Sequence, residues 1–179
     1  MMNGEESAGT ELRTDRLILR RARPEDLAAM HAVLSDERAM RYWSTGPHAD
    51  LAETKLWLDS MISAPADDSD DYVVILDGEV IGKLGAWRLP EIGFILHSDH
   101  WGHGYAAEAM EAFLDHAFRG RAVGFLTADT DPRNTSGLRL LTNHGFVETG
   151  RGTNTWNTHI GPCDSIYFEL DREAWLNAD

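Results

Sequence analysis

Apolar residues gather in short alternating runs through the middle of the chain and recur at helical spacing on either side of it. Leu17, Ile18 and Leu19, flanked by Arg16 and Arg20 and preceded by Leu12 and Thr14, predict a first strand. In 24–34, Pro24 suits the first position of a helix, Glu25 and Asp26 suit its positive end, and Leu27, Met30, Val33 and Leu34 share one face. Gly46-Pro47 breaks the pattern, after which Leu51, Thr54, Leu58, Met61 and Ile62 predict a second helix to about Ser63. The acidic stretch 65–71 reads as a solvated loop. Two β-rich runs joined by Asp77-Gly78 then predict a hairpin over 72–87, followed by a strand over 91–97. A helix opens after Gly104 and runs to about Phe118, with Arg119 and Gly120 as its stop. Next come a strand over 122–128, a turn over 129–134, a short helix over 136–144 ending at Gly145, a polar loop over 149–158 and a last strand over 165–170.

That order predicts an α/β (α+β) fold: a mixed sheet covered by helices, with a strand-helix-strand unit at its centre. At 179 residues the chain suits one domain over 11–179, preceded by a loose tail over 1–10.

Charge narrows the partners. A net charge of −14 and a pI near 4.8 argue against nucleic acid as a partner, because such sites need clustered Lys and Arg. Acidity serves solubility, and it also attracts a cationic substrate. The single cysteine, Cys163, excludes an internal disulfide, fits a reducing compartment and reads as a small apolar filler. Neither a membrane span nor a signal-peptide pattern stands out, so the expected setting is cytoplasmic.

Candidate chemistry sits in 91–107. Gly102 and Gly104 precede a strong helix former, and the first amides of a helix lack intrahelical partners, so the turn reads as an anion cradle. Gly102-x-Gly104-x-x-Ala107 also satisfies a loose dinucleotide fingerprint, with Asp129 lying 25 residues past Gly104. Context opposes that reading: Ser98 to Trp101 separate the strand from the glycines, and no second strand-helix-strand half is present. His97, His100 and His103 straddle a strand end and a turn, so their spacing does not converge on a metal, and none is expected.

Four motifs in order resemble the GNAT N-acetyltransferases, in particular the ribosomal-protein alanine acetyltransferase (RimJ/RimL-like) branch. Trp101-Gly-His-Gly-Tyr-Ala106 is similar to the coenzyme A pyrophosphate loop, Q/R-x-x-G-x-G/A, and closely to the branch's W-G-K-G-Y-A. The segment from Asn134 through Arg139 to Phe146 resembles N-x-x-S-x-R-V-L-x-x-x-G-F; Thr14 to Arg20 resembles T-x-R-L-x-L-R; Glu91-Ile-Gly-Phe94 resembles E-I-G-Y. The resemblance implies a mostly antiparallel GNAT-like sheet with acetyl-CoA as co-substrate. It implies that the cofactor arm lies along the strand through Phe94, Ile95 and Leu96, and that Trp101, Gly102, His103, Gly104, Tyr105, Ala106 and Ala107 take the pyrophosphate. Asn134 and Arg139 complete the cofactor set. Glu91 matches the family's general base, and alternation puts it on one face with Gly93 and Ile95. The implied reaction is direct attack of a primary amine, a protein N-terminus or a small molecule, on the thioester.

The usual acid is missing. Gly137 stands where the branch has serine, Leu141 where other members have tyrosine, and Ser136 lies about 100° around the helix from the serine position. A coenzyme A-binding sensor without chemistry is therefore the alternative to an enzyme. Trp43, Trp57, Trp87 and Trp156, with His159 and Asp164, are candidates to line the acceptor pocket, and the chain is expected to act as a monomer or homodimer.

Overall fold

A computed structural model describes residues 10–178 of the chain. Apart from Thr10, the predicted loose tail lies outside the described residues. Eight strands are present: β1 (Leu12–Arg13), β2 (Leu17–Arg20), β3 (Asp70–Leu76), β4 (Glu79–Arg88), β5 (Glu91–Leu96), β6 (Phe125–Thr130), β7 (Val147–Thr158) and β8 (Gly161–Asp171). The helices are α1 (Leu27–Leu34), α2 (Leu51–Ser63), α3 (Tyr105–Asp115), α4 (Thr135–Asn143) and α5 (Arg172–Leu176). The strands form one sheet in the order β1-β2-β3-β4-β5-β6-β8-β7, and every neighbouring pair is antiparallel except β5 and β6. This is the mixed sheet that the order of elements predicts, and it is mostly antiparallel, as the family resemblance implies.

Alternation along the strands sorts the core into two layers. On one face Leu17, Leu19, Tyr72, Val74, Ile92, Leu96, Ile166 and Phe168 pack beneath Met110, Phe113 and Leu114 of α3 and Leu141 of α4. On the other, Val73, Ile75 and Ile95 pack beneath Met30, Val33 and Leu34 of α1 and Leu58 of α2. The hairpin turns at Asp77 (φ 49) and Gly78 (φ 88), both left-handed as a type I′ turn requires.

Several sequence expectations need correction. The acidic stretch 65–71 is solvated only in part: Ser69, Asp70 and Asp71 are buried, and the last two open β3. Their charges are met by partners distant in sequence, namely Arg21, Arg121 and His116 for Asp70 and Lys83 for Asp71. The polar run 149–158 is strand, not loop, because β7 is an exposed edge paired to β8 and needs no apolar face. The strand expected over 122–128 starts only at Phe125. Arg121 N–H and Val123 N–H still donate to His116 O and Ala117 O, closing a π-helical turn, His116–Gly120, and Ala122 is left-handed. The first strand is two, since Thr14 Oγ1 accepts from the N–H groups of Arg16 and Leu17 and turns the chain between β1 and β2.

Candidate active site

The parallel pair barely touches. Glu91 and Thr127 form its one register pair, with Thr127 N–H donating to Pro90 O at 2.9 Å. Beyond it β5 stays with β4 as far as Leu96 while β6 stays with β8, so the two strands splay into a wedge. Ile95 and Leu96 are buried and Phe94 is half-buried against the α3 layer, so along this edge β5 offers backbone, not side chains.

Past the wedge the chain turns into α3. Asp36 Oδ2 accepts Ser98 N–H at 2.8 Å, and Trp101 Nε1–H donates to Leu96 O at 3.0 Å, with the Arg38 guanidinium 5.2 Å above the Trp101 ring. Gly102 and Gly104 hold φ of 77° and 79°, which explains glycine at both. Among the described residues none of the amides from Gly102 to Ala107 has a hydrogen-bond partner. Six unpaired N–H groups at the positive end of an eleven-residue helix suit an anion. Trp101, Gly102, His103, Gly104 and Ala107 are exposed and Tyr105 and Ala106 half-buried, so the turn is open to solvent.

Sequence reasoning missed the brace beneath it. Arg16 Nη1 donates to His103 O at 2.9 Å, its Nε donates to Glu108 Oε2 at 2.7 Å, and its guanidinium stacks 4.6 Å from the Tyr105 ring. Thr14 Oγ1 donates to Glu108 Oε1 at 2.5 Å. Burial pushes the Glu108 carboxyl up, but these donors and the Arg16 charge hold it below its usual range. Arg16 lies inside one recognisable motif and Glu108 two residues past another, yet nothing local pairs residues 92 apart.

The three histidines do not converge. His97 and His100 rings lie 6.2 Å apart, while His103 leans on Tyr105 at 5.6 Å. Asn134 is the N-cap of α4: its Oδ1 accepts Gly137 N–H at 3.0 Å. Arg139 is exposed and Ser136 stands exposed at the helix start, whereas Leu141 is fully buried. The tyrosine position thus belongs to the core.

A cleft of about 670 Å³ opens on the α1–α2 face, where those helices stop short of β6, β8 and β7. Trp43, Trp57, Trp87 and Trp156 all line it, joined by Tyr42. Glu91 and Gly93 face into it, so the predicted alternation holds. Asp68, Asp129, Asp131 and Asp164 add negative charge to the wall. Asp129 Oδ2 accepts Trp156 Nε1–H at 3.0 Å, and Asp164 Oδ1 accepts Asn154 N–H at 2.8 Å. Two side-chain hydrogen bonds and one backbone hydrogen bond from Arg133 hold the Asp131 carboxyl low. His159 packs on Gly46 instead of lining the cleft. Cys163 is buried but is no apolar filler: Arg133 Nη2 lies 3.1 Å and Thr158 Oγ1 3.3 Å from its Sγ.

The model of the acetyltransferase (GNAT) domain family matches residues 16–147, from the arginine brace to the first residue of β7. The chain belongs to the GNAT acetyltransferase family. Among curated relatives, "Uncharacterized N-acetyltransferase p20" of Bacillus licheniformis is 27% identical over 78% of this chain and 83% of its own length. The Vibrio cholerae spermidine N-acetyltransferase solved with CoA and spermine superposes with a TM-score of 0.79 at 21% identity, covering 92% of this chain and 100% of that one. The Salmonella typhimurium acetyl transferase that modifies the N-terminal serine of a 50S ribosomal subunit protein gives 0.80 at 15% identity, covering 90% and 99%. This GNAT chain is an N-acetyltransferase, and among its described residues no helix is long and apolar enough to cross a membrane. One parallel strand pair among eight strands also leaves the dinucleotide fingerprint without its fold.

Proposed function

We propose that this domain, residues 11–179, transfers acetyl from acetyl-CoA to a primary amine by direct attack in a ternary complex, with Glu91 as general base. One observation carries the reading: Glu91 sits at the vertex where β5 and β6 part, on the face that lines the aromatic, acidic cleft. The two reactants then meet at one residue, the acyl donor from the wedge and the amine from the cleft.

The residues present fit the donor. Unpaired amides from Gly102 to Ala107, with Arg16 beside them, suit the pyrophosphate, and the free edge of β5 from Ile92 to Leu96 suits an extended arm bearing amide groups. When bound, acetyl-CoA supplies an activated acyl carbonyl. Glu91 takes a proton, directly or through one water, either from the acceptor ammonium before it attacks as the neutral amine or from the amine nitrogen as the N–C bond forms, and the C–S bond then breaks. With Leu141 buried and glycine at 137, the chain places no hydroxyl where the family's acid stands, so the thiolate leaves as such or takes a proton from water.

For the acceptor, the acidic wall favours a cationic amine and the four tryptophans add cation–π surface. An α-amine with a pKa near 8 demands less of the base than a lysine near 10.4, by about 3 kcal/mol. The named neighbours bind spermine, a polyamine, or modify an N-terminal serine, an α-amine. A single cysteine fits a reducing, cytoplasmic setting. The test is thiol release from acetyl-CoA across peptides with free N-termini, polyamines and small amines. Acetylation of at least one class supports the reading, and a tight coenzyme A complex that turns over none of them defeats it.

A further inference from the structure

Four tryptophans from separate elements reach one cleft: Trp43 from the loop after α1, Trp57 from α2, Trp87 from β4 and Trp156 from β7. Trp87 and Trp156 are 48% and 49% exposed, and Asp129 Oδ2 fixes the Trp156 indole through its N–H. Among the described residues none of the four stacks on another ring, although the Arg88 guanidinium lies 4.8 Å from the centre of Trp87. Half-exposed indoles inside a concave site are apolar surface open to a ligand. The cleft floor also has a gap beside the base. Gly93 follows Glu91 by two residues on β5, so both face the cleft, about 7 Å apart. Its backbone does not demand glycine: φ is not left-handed, and a Cβ there would make only ordinary contacts, 3.7 Å from Trp43 Cη2 and 3.9 Å from Lys83 Nζ. Gly93 is half-buried, so the missing side chain leaves reachable room, bordered by the Trp43 ring edge and by the Lys83 ammonium that pairs with Asp71 at 2.8 Å.

We propose that this room takes an aromatic ring joined to the reacting amine by a two-carbon link, so that the acceptor is an arylethylamine, either free or as the first residue of a chain opened by an aromatic amino acid. The proposal rests on the cleft being the acceptor site. The surroundings choose among the groups that could fill the room. A second ammonium, as in a polyamine, would meet the Lys83 ammonium. A carboxylate would stand against a wall carrying Asp68, Asp129 and Asp164, with Lys83 already answered by Asp71. An aromatic ring is neutral and gains from a cation at its face and an indole edge beside it, beyond the area it buries. A saturated ring of the same size gains the area alone. The short step from Glu91 to Gly93 sets the length of the link.

The test measures the affinity of 2-phenylethylamine and 2-cyclohexylethylamine, which share link and bulk, for the coenzyme A-loaded protein by equilibrium dialysis, and follows acetylation of each by thiol release. The wild type should bind the phenyl member tighter by about fivefold or more. Trp43→Leu should bring that ratio below about twofold. Gly93→Ala, which fills the room, should weaken 2-phenylethylamine relative to ethylamine by about tenfold or more, in affinity or in kcat/KM. Each comparison is a ratio within one protein, so a loss common to both ligands drops out. Should Trp43→Leu not fold, Gly93→Ala still decides, because its new contacts are ordinary ones. Phenylalaninamide and a short peptide opened by phenylalanine tell the free amine from the chain, and tight binding of either supports the proposal. Equal binding of the phenyl and cyclohexyl members by the wild type, or ratios that survive both variants, overturns it. If other amines are acetylated and the phenyl preference is missing, the proposed function stands and the ring subsite fails. If no acceptor is acetylated but the phenyl member binds better and the variants lose that advantage, the catalytic reading fails and the subsite stands.

Discussion

Asn134 Oδ1 accepts Gly137 N–H at 3.0 Å, and a Cβ at position 137 would stand 2.7 Å from Asn134 Nδ2. Serine, which the family pattern puts there, requires the Asn134 amide to turn aside from the position it takes here, so the glycine is tied to this cap geometry. Asn134→Ala should cost about 1 kcal/mol as a lost N-cap, a drop of about 2–4 °C in Tm for a chain of this size. Gly137→Ser should destabilise the wild type by displacing the cap. In the Asn134→Ala background the same change should be neutral or stabilising by about 0.5 kcal/mol, through helix propensity alone. Thermal unfolding of the four proteins reads this coupling; equal effects of Gly137→Ser in both backgrounds would remove the explanation.

Glu91 is half-buried at the strand vertex and belongs to neither the loop amides nor their brace. Glu91→Gln should therefore lower kcat by about 10²–10⁴ while the KM for acetyl-CoA moves less than about twofold. The loss should be larger on a lysine-type amine than on an α-amine, because the more basic acceptor leans harder on the base. Steady-state thiol release with the two acceptors measures both effects, and a variant with unchanged kcat would return the carboxylate to an ordinary strand end.

Arg16 ties His103 O and Glu108 to the turn that presents the free amides. Removing it leaves the Glu108 carboxylate, held low by this partner, unneutralised one turn into α3 beside the anion cradle. Arg16→Ala should raise the KM for acetyl-CoA by about tenfold, roughly 1.4 kcal/mol, with little change in kcat at saturation. High salt should shrink the difference, since Arg16 is largely exposed. A change confined to kcat would show that the brace serves some step other than anion binding.

What was legible in the sequence was local. Asp77-Gly78 announces its hairpin because both residues tolerate positive φ, and Glu91 to Ala107 reads as strand, turn and helix because each signal lies within a few residues of the next. β7 was not legible: its side chains are almost all exposed, so its pattern carries no apolar face, and only the register with β8 makes it a strand. Asp70 and Asp71 misled for a related reason. A run of aspartates looks solvated until Arg21, Lys83, His116 and Arg121 arrive from elsewhere in the chain. The tryptophans showed the opposite case, recognisable as pocket candidates by type, with their common cleft visible only once β4, β7 and α2 are placed around it.

Asp70 makes a pH prediction with a definite sign. Tyr72 OH donates to its Oδ1 at 2.6 Å, Arg21 and Arg121 lie 3.3 Å from that oxygen, and His116 Nε2 lies 3.3 Å from Oδ2. Burial pushes the carboxyl up, but His116, Tyr72 and the nearby positive charge outweigh it and hold the carboxyl below its usual range. Asp26, Asp36 and Asp131 are depressed as well. A depressed acid binds fewer protons folded than unfolded, so its contribution is complete above the unfolded value of about 3.9 and is lost as pH falls through the folded one. Asp71, raised by burial, has the opposite sign and loses its contribution as pH climbs above the unfolded value. With six depressed carboxyls, Asp26, Asp36, Asp70 and Asp131 together with Glu108 and Glu148, against one raised, urea unfolding between pH 7 and pH 3 should show stability falling steeply below about pH 4. Asp70→Asn should cost about 1–3 kcal/mol at pH 7, because Arg21 and Arg121, both partly exposed, lose a buried counter-charge, and should flatten the acid limb. An unchanged limb in that variant would assign the acid sensitivity to the other depressed carboxyls.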